Sequence, residues 1–148
     1  MKLQKQKRYK EAERVFSIAI SKHPNVDKLH LMRARFRHHY MNKCRDAISD
    51  YNMVIRIAPK SYPEAYWWKG SCLYKFGLYQ QAIRDYSNAI RLKPRWGKLH
   101  LLRAKAYAKL NMIEKAKNDL KATVKYDPKY TQVARDLLKK FLAGRRDF

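Results

Sequence analysis

Glycine, proline, acidic residues and long apolar runs are all scarce in this 148-residue chain. Glycine and proline together number nine, which is too few for a collagen-like or low-complexity disordered protein. No stretch approaches the ~18 consecutive apolar residues of a transmembrane helix. The basic N-terminus has no apolar run behind it that would mark a secretory signal. The sequence therefore predicts a folded protein without a membrane span.

Cysteines are also few, because only Cys44 and Cys72 are present and their spacing fits neither a metal site nor a disulfide framework. We expect both to be reduced residues that fill the core, which favours a cytoplasmic location, with the nucleus as the alternative. The chain has no glycine-rich phosphate loop, no H-E-x-x-H pair and no nucleophile context typical of an enzyme. His38 and His39 are neighbours, so on a helix they would point about 100° apart and would not chelate one metal together. We predict no catalysis, no metal and no cofactor.

Positive charge is what the chain has in excess. Lysine and arginine number 35 against 12 acidic residues, which gives a net charge of +23. Each of five successive segments carries between +3 and +6, so the charge belongs to the whole chain and not to one tail. Such a surface attracts acidic protein segments, nucleic acid or anionic membranes. The alternative is a solvated lysine-rich surface that has no particular ligand.

One pattern recurs four times: an alanine, a bulky residue four positions later and a proline eight positions after that. The prolines are spaced by 35, 35 and 34 residues. A fixed period of this length indicates stacked helical repeats, which present extended binding surfaces and not closed catalytic pockets. Apolar residues at helical spacing place the pattern on the second helix of each repeat, and the proline ends that helix. The residues are Ala12, Phe16 and Pro24; Ala47, Tyr51 and Pro59; Ala82, Tyr86 and Pro94; and Ala116, Leu120 and Pro128.

The first helices align as well. The letters LHLMRAR at 29–35 match LHLLRAK at 99–105, and AYWWKGS at 65–71 occupies the same slot. With the unit YWWKGSCLYKFGLYQQAIRDYSNAIRLKP at 66–94, nearly the whole chain resembles the tetratricopeptide repeat. The resemblance implies an all-α fold, a right-handed α-solenoid of stacked antiparallel helix pairs. It divides a single array over residues 1–148 into a partial repeat with a second helix at 7–24, full repeats at 27–61, 63–96 and 97–130, and a capping helix at 131–143.

Opposite charges recur at matching slots of the three full repeats. A basic residue stands just before the small residue of each first helix, and an aspartate stands in each second helix. Since these slots lie on packed helices of one unit in this family, we predict one ion pair within each repeat. If exposed, each pair would contribute roughly 0–1 kcal/mol. The predicted pairs are Arg33–Asp50, Lys69–Asp85 and Arg103–Asp119.

The concave face of a tetratricopeptide array comes from its first helices, and the resemblance implies that ligands bind there. By position we expect a basic wall with an aromatic centre, in which Trp67 faces the groove and its neighbour Trp68 packs into the core. Such a wall suits an acidic, extended peptide, which lysines attract and aromatic rings anchor. It also suits RNA or single-stranded DNA, because aromatic rings stack on bases. The expected ligand-binding residues are Lys28, Leu31, Arg35, Trp67, Ser71, Tyr74, Lys75, Lys98, Leu101, Lys105, Lys109, Arg135 and Lys139.

Two further expectations concern partners. Some family members hold the C-terminal carboxylate of chaperones in a clamp of Lys, Asn, Asn, Lys and Arg. Of the five aligned residues here only Lys98 matches in kind, so we expect no standard clamp of this type. The other expectation is a structural link that docks or self-associates through the unpaired N-terminal helix. The five aligned residues are Leu31, Arg35, Trp68, Lys98 and Leu102.

Overall fold

A computed structural model describes residues 2–145 and 147, without the side chains of residues 2 and 3. Within these residues the chain is all-α, as predicted, with eight α-helices, one short 3-10 turn at 128–130 and no strand. No helix among them is long and apolar enough to cross a membrane. The helices are α1 (Lys2–Lys22), α2 (Asp27–His39), α3 (Cys44–Ile57), α4 (Pro63–Lys75), α5 (Tyr79–Leu92), α6 (Gly97–Lys109), α7 (Ile113–Tyr126) and α8 (Thr131–Leu142).

The helices belong to two compact units, residues 1–65 and residues 66–148. In the first unit, α2 packs against α1 and α3. In the second unit, α6 packs against α5 and α7, and α7 also packs against α8. The core of the second unit lies between α6, α7 and α8, where Ala104, Leu120 and Phe141 are buried in one cluster.

Local sequence rules explain where the helices end. Helices α1, α3, α5 and α7 each end two residues before a proline, because proline lacks an N–H and restricts the residue before it. The turns inside the repeats use the left-handed conformation that suits asparagine and glycine, with φ of 53° at Asn42, 76° at Gly77 and 60° at Asn111. Helix α1 begins at Lys2, five residues before the start at residue 7 that the sequence predicts for the second helix of the partial repeat.

The cysteines differ from expectation. Both are buried, with 4% of Cys44 and none of Cys72 exposed, so the prediction that they fill the core is confirmed. Neither is a free thiol, so the prediction that they are reduced is wrong. Thiol state therefore gives no support to a cytoplasmic location.

All three predicted ion pairs form. Arg33 lies 2.7 Å from Asp50, Lys69 lies 3.3 Å from Asp85, and the Arg103 Nε lies 2.8 Å from Asp119. The estimate for exposed pairs does not apply to them, because the aspartates Asp50, Asp85 and Asp119 are only 2%, 5% and 5% exposed. A carboxylate this deeply buried is costly unless it is paired, so these contacts fix how the two helices of a repeat meet.

Arginine, at this position of the first helix, donates more hydrogen bonds than lysine does. Arg103 donates from Nε and Nη2 to the two oxygens of Asp119, and its Nη1 donates to the hydroxyl of Ser87 on the preceding helix. Arg33 makes the same three bonds, to Asp50 and to Ser17. One guanidinium therefore ties three successive helices together in each unit, since its planar fork offers five donors. The serines were not singled out from the sequence.

A histidine completes each arginine site. The Nε2 of His30 lies 2.8 Å from the carbonyl of Pro24, and that of His100 lies 2.9 Å from the carbonyl of Pro94. The Nδ1 of His100 lies 3.4 Å from Asp119. His100 therefore joins the loop before α6 to the buried carboxylate, whereas the Nδ1 of His30 lies 3.6 Å from Asp50 and has no hydrogen-bond partner among the described residues.

The pKa of the buried aspartate depends on whether arginine or lysine is its partner. Burial raises the pKa of Asp119, but hydrogen bonds from Arg103 and His100 outweigh burial and leave that pKa below its ordinary value. Burial also raises the pKa of Asp85, and there the single ammonium of Lys69 does not compensate, so the pKa stays above its ordinary value. The pair of the middle repeat is thus weaker than the Arg103–Asp119 pair.

We expect Lys69→Arg to stabilise the protein by about 0.5–1.5 kcal/mol at neutral pH, because a bidentate guanidinium replaces one ammonium. The raised pKa of Asp85 means that the folded state binds its proton more tightly than the unfolded state. Stability is therefore lost as pH rises from the ordinary value, about 3.9, through the raised value. The gain from the substitution should grow over that same window. Urea unfolding at several pH values measures it, with exposed Lys93→Arg as the control, and an equal gain at all pH values would contradict the mechanism.

We expect Asp119→Asn to destabilise the protein by about 2–4 kcal/mol at pH 7, because Arg103 loses its partner in a half-buried site. The folded-state pKa of Asp119 is lowered, so its contribution is present above the ordinary pKa and lost as pH falls through the folded value. The difference from the wild type should therefore shrink below about pH 4. Urea midpoints check this, with exposed Asp46→Asn as the matched control. A difference that stays constant in acid would show that the carboxylate charge is not the cause.

Candidate functional site

In the first unit, the predicted ligand-binding residues divide by burial. Lys28 and Arg35 are exposed on α2, as a binding role requires. Leu31 is only 7% exposed, so the prediction that it contacts a ligand is wrong. The positional rule that selected it does not distinguish a groove-facing leucine from one that packs against the neighbouring helix.

The aromatic centre predicted around Trp67 lies in the second unit. The rings of Trp67 and Trp68 are stacked with their centroids 5.7 Å apart and their planes 30° apart. Trp96, from the loop before α6, meets Trp67 edge-on at 4.9 Å. Both α4 tryptophans are half-buried, so Trp68 is not the core residue that we expected, and part of the Trp67 ring remains accessible. The contacts hold the Trp67 ring in one orientation, which suits an anchor for a partner side chain.

A lysine of α6 lies directly over this ring. The Nζ of Lys98 is 4.5 Å from the Trp67 centroid, well inside the range of a cation–π contact. Such a contact contributes about 0.5–1 kcal/mol when exposed and more when water is excluded. The contact joins the aromatic centre on α4 to the row of lysines on α6.

That row consists of Lys98, Lys105 and Lys109, which are spaced i, i+7 and i+11 and so share one face of α6. All three are half-buried. Among the described residues, no carboxylate lies within ion-pair distance of Lys98 or Lys105. Burial lowers the pKa of Lys105, and the like charge of Lys140 lowers it further. The positive charges of Lys98 and Lys105 are therefore not compensated by a carboxylate of the described residues.

Several other residues that we predicted to bind a ligand contact other residues of the protein instead. Leu101 is 6% exposed and belongs to the core cluster, so the prediction of a ligand contact is wrong for it as well. The Ser71 hydroxyl accepts a hydrogen bond from Tyr86 at 3.3 Å. Tyr74 meets Tyr79 edge-on at 5.2 Å, and burial raises its pKa. Lys75 and Lys139 are exposed, on α4 and α8.

Arg135 lies on a cavity that the sequence did not predict. This cavity, of about 470 Å³, lies between α7 and α8. The positions of the first helices do not reveal this cavity, because the second helix α7 supplies most of its wall. The sequence contains one indication of this cavity, because three lysines of α7 are spaced i, i+4 and i+8 and so share one face of the helix. The lining residues are Lys117, Leu120, Lys121, Val124, Lys125, Ala134, Arg135 and Leu138.

A second unpredicted cavity, of about 700 Å³, lies in the first unit between α1 and the end of α2. Tyr9 and Tyr40 form part of its wall and are 5.9 Å apart, and Lys5 lies over the Tyr9 ring. Glu13 receives bonds from Arg37 and Lys43 beside this wall, and they hold its pKa below its ordinary value although burial opposes them. Helix α1 is therefore fixed to the first unit by a polar network as well as by aromatic contacts.

Comparisons with known proteins agree with this architecture. Models of the tetratricopeptide repeat match residues 37–95 and 97–130, which together make up more than half of the chain. The Hsp70-Hsp90 organizing protein of Triticum aestivum is 29% identical over 126 residues, which are 85% of this chain and 20% of that protein. The chain thus spans about a fifth of the length of this curated relative.

Solved structures share the fold at low sequence identity. A crystal structure of MamA matches with a TM-score of 0.78 and 19% identity, over 97% of this chain and 92% of that one. The first TPR of Spaghetti (RPAP3), bound to the HSP90 peptide SRMEEVD, matches with a TM-score of 0.72 and 20% identity, over 79% of this chain and 90% of that one. With the repeat matches and the order of the helices, these findings show that the chain belongs to the tetratricopeptide repeat family.

Proposed function

We propose that this protein is a non-catalytic interaction module whose second unit binds an acidic, extended segment of a partner protein. Tetratricopeptide repeat proteins mediate protein–protein interaction, which makes a protein partner the first expectation. The binding surface is the lysine face, by which we mean Lys98, Lys105 and Lys109 of α6 together with Trp67 of α4. Lys139 of α8 would extend it, by its position in the repeat.

The uncompensated charge of Lys105 is the observation that carries this proposal. Its ammonium is half-buried, lacks a carboxylate partner among the described residues and lies near another lysine, and these conditions lower its pKa. Keeping a charge in such a place costs free energy in the unbound protein. A carboxylate from a partner would remove that cost, so the site gains more from an anion than a fully solvated lysine would.

The contacts around the Trp67 ring favour a peptide over a nucleic acid as the ligand. Bases stack on aromatic rings that offer an open face. The Trp67 ring is already contacted by Trp68, Trp96 and the ammonium of Lys98. An apolar side chain of a peptide needs only the part of the ring that remains accessible, whereas a base needs a whole face.

One structural neighbour supports an acidic ligand. The peptide SRMEEVD in the Spaghetti (RPAP3) structure contains three acidic side chains. Of the chaperone clamp predicted from the family, this chain keeps only Lys98. We therefore propose that it recognises acidic side chains along an extended segment and not a chaperone C-terminus held by the usual clamp. A cytoplasmic setting stays a prediction.

Reversal of the lysine face should abolish binding of an acidic peptide. We expect the triple variant Lys98→Glu, Lys105→Glu and Lys109→Glu to weaken binding by about 30-fold or more, because each rim charge contributes up to about 1 kcal/mol and reversal adds repulsion. Fluorescence anisotropy with a labelled peptide containing glutamates and one leucine measures the effect.

The matched control reverses Arg45, Arg56 and Lys60, three exposed residues of the first unit, and so changes the net charge equally. Equal loss in both variants would mean that only overall charge matters and would contradict a site. A single-stranded oligonucleotide serves as the competing ligand. Tighter oligonucleotide binding, with a steep dependence on salt, would show nucleic acid to be the ligand instead.

Protonation of Lys105 offers an independent check. We expect the pKa of Lys105 to rise when an acidic peptide binds, because a nearby carboxylate favours the charged ammonium. NMR of the side-chain amine resolves the titration of individual lysines. The amine signal of Lys93, an exposed lysine outside the lysine face, serves as the control. No change at Lys105 under saturating peptide would place the ligand elsewhere.

A further inference from the structure

We infer that the groove between α7 and α8 binds an acidic amphipathic helix of a partner protein. This C-terminal groove is the 470 Å³ cavity lined by α7 and α8 residues, and it belongs entirely to the second unit. It contains none of the lysines of the lysine face. It therefore offers a second surface, on which the proposed function does not depend.

The floor of the C-terminal groove is apolar. Leu120 and Ala134 form its base and are 4% exposed each. Val124 and Leu138 line its walls and are half-buried, packed against the core cluster on one side. The groove therefore offers an apolar floor against which a partner side chain can pack.

Repeat register indicates that the occupant is a helix. Leu138 stands 34 residues after Ala104, which stands 34 residues after Gly70. At both earlier positions a second helix packs onto the slot: a Cβ on Gly70 would lie 2.9 Å from Tyr86 of α5, and Ala104 shares a cluster with Ala116 of α7. After α8 no further helix follows within the described residues. The slot at Leu138 is therefore a helix site that no helix of the described residues fills.

The rim of the groove specifies the charge of that helix. Its charged residues are Lys117, Lys121, Lys125 and Arg135, and no acidic residue lines the cavity. Lys121 and Arg135 have no carboxylate within ion-pair distance in the described part of the chain. The three lysines are spaced i, i+4 and i+8, so they follow the groove for about 12 Å. Glutamates on successive turns of a partner helix would match that spacing.

Charge also argues against a second copy of this chain. Its α1 has an exposed apolar pair, Val15 at 66% and Ile18 at 46%, that could enter an apolar groove. However, α1 carries seven basic and two acidic residues, and the whole chain carries +23. Placing α1 on a basic rim would bring like charges together, which disfavours that complex.

The test uses a synthetic helical peptide of about 18 residues, which is long enough to form a marginally stable helix. It carries leucines on one face and glutamates at i, i+4 and i+8 beside them. A scrambled peptide of the same composition keeps the charge but loses the apolar face. We expect the full chain to bind the helical peptide at least about tenfold more tightly than the scrambled one.

Variants then locate the site. Lys121→Glu with Arg135→Glu should weaken binding of the helical peptide by about tenfold or more, whereas Lys115→Glu with Arg95→Glu, equal in charge change, should leave it within about twofold. The lysine-face triple variant should also leave it unchanged, which separates this inference from the proposed function. Equal binding of both peptides, or equal effects of the two double variants, would overturn the inference. Concentration-dependent dimers that Leu138→Asp dissolves would overturn it too, because the occupant would then be a second copy.

Discussion

The buried aspartate of each second helix is the constraint on which the fold depends. Asp50 and Asp119 are almost inaccessible to water, so each must be paired where it stands. In both cases a guanidinium reaches it with two hydrogen bonds and extends a third to a serine on the preceding helix. Because this geometry is bidentate and buried, it fixes the register of three helices at once. Apolar packing then fills the space between them.

The surface is so positive because acidic residues are scarce, and a third of them pair inside the protein. The chain has only 12 acidic residues, and Asp50, Asp85, Asp119 and Glu13 are used in internal pairs. Few carboxylates are left to neutralise the 35 cationic side chains. Lys98, Lys105 and Lys121 have no carboxylate within ion-pair distance among the described residues. The attraction for acidic partners thus follows from the scarcity of acidic residues in the sequence.

The two proposed surfaces rest on different physical grounds. On the lysine face, a half-buried ammonium beside a stacked tryptophan favours a carboxylate and an apolar anchor. In the C-terminal groove, an apolar floor left open by the end of the repeat pattern favours a helix, and the rim only selects its charge. The first is electrostatic and should weaken with salt, whereas the second combines apolar burial with charge.

The sequence by itself determined the helices, their ends and the three ion pairs within the repeats. These follow from the period, from proline and from left-handed turn residues, all of which act over a few positions or recur at fixed intervals. The tertiary structure alone decided that Leu31 and Leu101 are core, that Trp67 and Trp68 stack, and that Arg135 lies on a separate cavity. Spacing along a helix says which residues share a face. Whether that face meets water or another helix depends on neighbours distant in sequence, which only packing brings together.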